Sequence, residues 1–127
     1  FVLNGEDIID TQSFKECLNY PRAIIVSETE DPRPFGVVEL DENGYVIDIV
    51  EKPEHPKTNL VNTGAALLDP NIFQYPGEQH SNGEFYLPTV IGKMVKEHPV
   101  KAVHAASWLV VTTPKDLAHA EQILTNA

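Results

Sequence analysis

Asn43-Gly44, set between two β-rich runs, limits what this chain can fold into more than any other feature. Val37-Val38-Glu39-Leu40 precedes the connection Asp41-Glu42-Asn43-Gly44, and Tyr45-Val46-Ile47-Asp48-Ile49-Val50 follows it. An Asn-Gly pair tolerates the positive φ angles that tight hairpins need, so residues 37–40 and 45–50 are expected to pair antiparallel. Glu51-Lys52-Pro53 then ends the second strand. Pro53 and Pro56 force a loop, because proline has no N–H to give to a ladder.

The remaining elements arrange themselves around that hairpin. Phe1-Val2-Leu3 reads as a strand running into the acidic turn Asn4-Gly5-Glu6-Asp7, and residues 13–18 as a short helix. Ala23-Ile24-Ile25-Val26 is a continuous apolar run, the pattern of a strand buried on both faces. The segment Glu30-Asp31-Pro32-Arg33-Pro34 is a proline-broken loop, and Ala65-Ala66-Leu67-Leu68 a strand stopped by Asp69-Pro70. Pro88 opens a helix whose Val90, Ile91, Met94 and Val95 share one face. Thr113-Pro114-Lys115-Asp116 opens another with an N-cap, a proline and an acid, and Leu117, Ala120 and Leu124 form its expected buried stripe. Residues 100–103 and 108–111 are strand-like. The expected fold is α/β: a mixed, mostly parallel sheet with an antiparallel hairpin, flanked by helices. No linker divides residues 1–127, which are read as a single domain.

Nineteen acids against nine bases leave a net charge of −10. Such a surface repels phosphate backbones and anionic lipid, which excludes nucleic acid and membrane as partners but not a small phosphate-bearing ligand. Cys17 is the only cysteine, so no internal disulfide exists. A reducing, cytoplasmic location is expected, with Cys17 as a buried apolar residue. A chain beginning at Phe1, inside a strand-like run, is expected to be a processed or truncated piece. His55, His80, His98, His104 and His119 have no metal-ligand spacing, and no Ser-His-Asp or Cys-His set is proposed.

Several short motifs in order carry a resemblance. Phe35-Gly36-Val37-Val38, the turn at 41–44, Glu51-Lys52-Pro53, Lys57-Thr58-Asn59-Leu60-Val61-Asn62-Thr63-Gly64, Gly83-Glu84-Phe85-Tyr86-Leu87 and Trp108 to Leu117 together span nearly the whole chain. In this it resembles the sugar-1-phosphate nucleotidyltransferases, thymidylyl- and uridylyltransferases of glucose 1-phosphate among them. That resemblance implies a Rossmann-like fold of the nucleotide-diphospho-sugar transferase type. The implied reaction joins a sugar 1-phosphate to an NTP and releases pyrophosphate. The glycine-rich loop that grips the triphosphate in that family has no counterpart here, so the chain is expected to be the sugar-phosphate-binding half, with the nucleotide-binding N-terminal half absent.

The resemblance also assigns residues. Lys52 is the catalytic cation on the sugar's phosphate, and Glu51 accepts hydrogen bonds from sugar hydroxyls. Gly36, Asn62 and Gly64 complete the sugar pocket, although Gly36 reads equally as a bulge glycine and Asn62 as a turn residue. Glu6 and Asp7 are the candidate Mg²⁺ ligands, or else a solvated acidic turn. The family's second metal-binding position falls on Val110, or on Thr112 if the alignment shifts. Valine cannot ligate a metal. This leaves a second reading, a sugar-phosphate-binding or regulatory module that has lost catalysis. Trp108 is read as core packing. A half-domain also exposes a sheet edge beside the Phe1 strand, where self-association or a complementing chain is expected.

Overall fold

The computed structural model describes residues 1–127. In order come β1 (Val2–Leu3), β2 (Ile8–Ile9), α1 (Thr11–Cys17), β3 (Ala23–Glu28), β4 (Gly36–Leu40) and β5 (Val46–Glu51). They are followed by β6 (Leu60–Leu67), a 3₁₀ turn at Pro70–Gln74, α2 (Leu87–Met94), β7 (Lys101–His104), β8 (Trp108–Leu109) and α3 (Pro114–Thr125). Six strands form one sheet in the order β5-β4-β6-β3-β7, with β1 also on β6, and β2 and β8 make a separate ribbon.

The hairpin forms as its turn chemistry requires. Gly36 lies opposite Glu51 and Val38 opposite Ile49, while Gly44 turns the chain at φ 80°. The sheet is mixed and flanked by helices, as expected. Parallel pairing, however, is confined to β3 and β7, and β6 runs antiparallel to β3, β4 and β1. Parallel neighbours need a long crossover, usually helical. No helix lies between β3 and β6, so these strands return antiparallel.

Period-two alternation gives the sheet two apolar faces. On one, Ile24 and Val26 of β3 join Val38, Ile49, Ala66 and Ala102 beneath Ile91 and Met94 of α2. On the other, Ala23, Ile25, Ala65 and Val103 pack against Cys17 of α1. Both faces of β3 are thereby covered, and burying an Ile or Val of this kind contributes roughly 1.5–3 kcal/mol. Cys17 is fully buried, and desolvation pushes its thiol pKa up to about 11, so it is a packing residue.

Caps set the helix starts. Asp10 Oδ1 accepts from the Ser13 N–H at 2.8 Å ahead of α1. Thr113 and Asp116 form a reciprocal capping box ahead of α3. The stripe expected on α3 is mostly uncovered: Ala120 is buried, but Leu117 is 60% and Leu124 55% exposed. Helical spacing identifies an apolar face without supplying the layer that covers it. Ile8 of the small ribbon lies beside Leu117 and Leu124 in the shallow groove along α3. The strand expected over 65–68 runs from Leu60 to Leu67, so Asn62, which also reads as a turn residue, and Gly64 sit inside it. No helix is long and apolar enough to cross a membrane.

Candidate functional site

A cleft of about 510 Å³ opens where β1 and β4 diverge along one edge of β6, with the start of α2 as a wall. Its floor is shaped by a bulge. Ile24 pairs with Ala66 and Val26 with Asn62, so Thr63, Gly64 and Ala65 stand opposite Ile25 alone. Bulges of this sort bend a strand and redirect its side chains. Thr63 repairs the ladder by donating its hydroxyl to the Ile25 carbonyl at 2.8 Å. Gly64 adopts φ 88°, and a Cβ there would run into the Asn4 side chain. Asn4 donates its N–H to the Gly64 carbonyl at 3.1 Å, so β1 closes down on the bulge. Asn62 is buried, with Oδ1 accepting from the Gly64 N–H at 3.2 Å.

The hairpin's open end supplies the charged pair. A Cβ on Gly36 would lie 2.8 Å from Glu51 Oε2, so glycine is what lets that carboxylate lie against β4. Glu51 Oε2 is buried and has no hydrogen-bond partner. Burial raises its carboxyl pKa above the usual value, although Lys52 and His80 pull the other way. Lys52 alone among non-glycine residues has a positive φ, 46°, and its N–H still donates to the Phe35 carbonyl at 2.9 Å. That conformation costs on the order of 1–3 kcal/mol and persists only where the surroundings enforce it.

Tyr86, in the loop before α2, faces Lys52. Lys52 Nζ donates to Tyr86 Oη at 2.8 Å and lies 4.7 Å from the ring centroid, with Glu84 at 4.0 Å. The hydrogen bond to Tyr86 is the main cause of the ammonium's raised pKa. Tyr86 in turn donates to Glu84 and accepts from Asn82 Nδ2 at 2.7 Å. Its hydrogen bond lowers the Glu84 pKa.

The acidic turn is tied in by the β2–β8 ribbon. Asp7 Oδ2 accepts from Trp108 Nε1 at 3.4 Å, and Oδ1 from the Val111 N–H at 3.3 Å. Burial raises the Asp7 pKa, with Glu6 adding to the rise, while Glu6 itself is exposed. Trp108, expected as core, stands half-buried in the cleft wall, edge-on to Phe35 at 5.3 Å.

Glu6, Asp7, Gly36, Glu51, Lys52, Asn62 and Gly64 all line this one cleft, and so do Val110 and Thr112. The residues that the sequence reading left without a role are Asn82, Glu84 and Tyr86. Their signal is an amide, an acid and a phenol packed just before Pro88, in the stretch that carries the resemblance as a helix entry without a site role.

The profile of the family described as Nucleotidyl transferase matches residues 1–127. The chain belongs to the nucleotidyl transferase family. Among curated relatives, it is 37% identical over 126 residues to the bifunctional protein GlmU of Methanocaldococcus jannaschii, covering 97% of this chain and 31% of that protein. It is 32% identical over 117 residues to a bifunctional sugar-1-phosphate nucleotidylyltransferase/acetyltransferase of Sulfurisphaera tokodaii, covering 90% and 28%. The chain thus spans about a third of the length of these family members. Its fold superposes with TM-score 0.84, at 19% identity, on a UDP-glucose pyrophosphorylase complexed with UDP-glucose, covering 98% of this chain and 55% of that one.

Proposed function

We propose that this chain supplies the sugar-phosphate side of a sugar-1-phosphate nucleotidyltransferase that forms an NDP-sugar and pyrophosphate from an NTP. The observation that carries the reading is Glu51 Oε2, a buried acceptor without a partner, lining the same cleft as the Lys52 side chain. A buried polar atom left unpaired costs about 1–3 kcal/mol, a cost that a ligand hydroxyl would remove. Lys52 then holds the phosphate, and Asn62, Gly36 and Gly64 shape the sugar's seat. Two anions must meet in this reaction, so positioning and charge stabilisation do most of the catalytic work.

Glu6 and Asp7 would hold Mg²⁺, which offsets charge on the reacting phosphates when bound. Two carboxylates suit an ion that keeps several waters and takes other ligands from substrate phosphates. Val110 at the cleft favours a second reading, a sugar-phosphate-binding or regulatory module without turnover. The chain acts as a single domain in the cytoplasm, where its buried thiol stays reduced. The free edge of β1, where Phe1, Val2 and Leu3 are half-exposed, is where the nucleotide-gripping half, in the same polypeptide or another, or a second copy of this chain would add.

Calorimetric titration separates these ideas from a bare anion site. Glucose 1-phosphate should bind more tightly than either glucose or inorganic phosphate alone. Equal affinity for inorganic phosphate would leave Glu51, Asn62 and the two glycines without a ligand role.

A further inference from the structure

We infer that Tyr86 is a positioning residue, which holds the Lys52 ammonium in the cleft mouth ready for the sugar's phosphate. This rests on the proposed function and deepens it at the same site. A lysine side chain has four rotatable carbons and loses about 2 kcal/mol of rotamer entropy when fixed. Here that ordering precedes any ligand: Lys52 Nζ donates one of its hydrogen bonds to the Tyr86 hydroxyl at 2.8 Å, and the ring's electron-rich face lies 4.7 Å from Nζ. An ammonium has three N–H donors, so two stay free for an incoming phosphate.

Tyr86 is itself fixed from behind. Asn82 donates to its hydroxyl at 2.7 Å, and the hydroxyl donates to Glu84. Asn82 also donates to Glu84 Oε2 at 3.2 Å, which closes a small ring of contacts. The loop turns back through Gly83 at φ 90°, with His80 and Glu84 bonded across it at 2.8 Å. Lys52 directly follows β5 and Tyr86 directly precedes α2, so their contact bridges the two walls of the cleft. Lys52 has a positive φ of 46°, so the chain leaves the extended strand conformation at the residue that meets Tyr86.

Tyr86→Phe keeps the ring and removes only the hydroxyl. Titrated into this variant, glucose 1-phosphate should bind about three- to tenfold more weakly, while binding of unphosphorylated glucose stays unchanged. In a Lys52→Ala background the same substitution should have no further effect, because nothing is left to position. A purely structural tyrosine would weaken both ligands alike and would act equally in both backgrounds, and either result overturns the inference. Unchanged glucose 1-phosphate binding in Tyr86→Phe would also overturn it while leaving the proposed function intact. No binding of glucose 1-phosphate to the wild type would sink both.

Discussion

Replacing Glu51 with glutamine is expected to raise stability and weaken sugar binding in the same protein. Glu51 Oε2 is enclosed without a partner, and burial raises the carboxyl pKa above its ordinary 4.5. The unfolded chain releases this proton near the ordinary value, whereas the folded chain keeps it to higher pH. Between the two pKa values the folded state holds more protons, so stability falls as pH rises through that window. Above its folded-state pKa the wild type therefore carries the whole cost of a desolvated charge, and well below the ordinary value it carries none. Glutamine removes the charge and keeps the shape. Allowing for the lost attraction to Lys52, the gain should be about 1 kcal/mol at neutral pH, or about 3–5 °C in Tm. Urea titrations of both proteins between about pH 4 and about pH 8 should show the gain shrink towards zero at the acid end. Sugar hydroxyls would meanwhile lose an ionised acceptor, weakening glucose 1-phosphate roughly ten- to a hundredfold. A variant less stable than wild type at neutral pH, or a gain that does not vary with pH, would refute the reasoning.

Other consequences follow from the same geometry. Gly64→Ala, forced to φ 88° and into Asn4, should lower stability by about 1–3 kcal/mol, read as a shift in the urea midpoint. Leu117→Lys should change stability by less than about 0.5 kcal/mol, since the side chain is mostly in water; a large loss would show that α3 is covered in solution. The 127-residue chain by itself, with Mg²⁺ and all substrates present, should release no pyrophosphate, and Val110→Asp should not restore release. Dose-dependent release from the purified chain would place the catalytic groups elsewhere.

Some features of this fold are local and were legible; others depend on distant partners and were not. The hairpin at 37–50 is readable because Asn43-Gly44 marks the turn between neighbours in sequence, although the register slips between Glu39 and Leu40, which the turn residues do not announce. The capping box at Thr113 is readable for the same reason. By contrast, the bulge in β6 is met by Ile25 on one side and Asn4 on the other, and nothing in Asn62-Thr63-Gly64 announces those partners. The site residues were named from motif likeness, so the cleft that joins them was expected. The reason for Gly36 was not: it leaves room for the Glu51 carboxylate of its own hairpin partner, a contact across strands. Tyr86 has no motif signal of its own because its partner Lys52 is remote in sequence and adjacent in space.

The central claim is that this cleft binds a sugar phosphate through Lys52. Calorimetric titration of glucose 1-phosphate into wild type and Lys52→Ala tests it most directly. Loss of a charge-assisted contact to the phosphate should weaken binding roughly ten- to a hundredfold. Equal affinity in the two proteins, or tighter binding by the variant, would contradict the account.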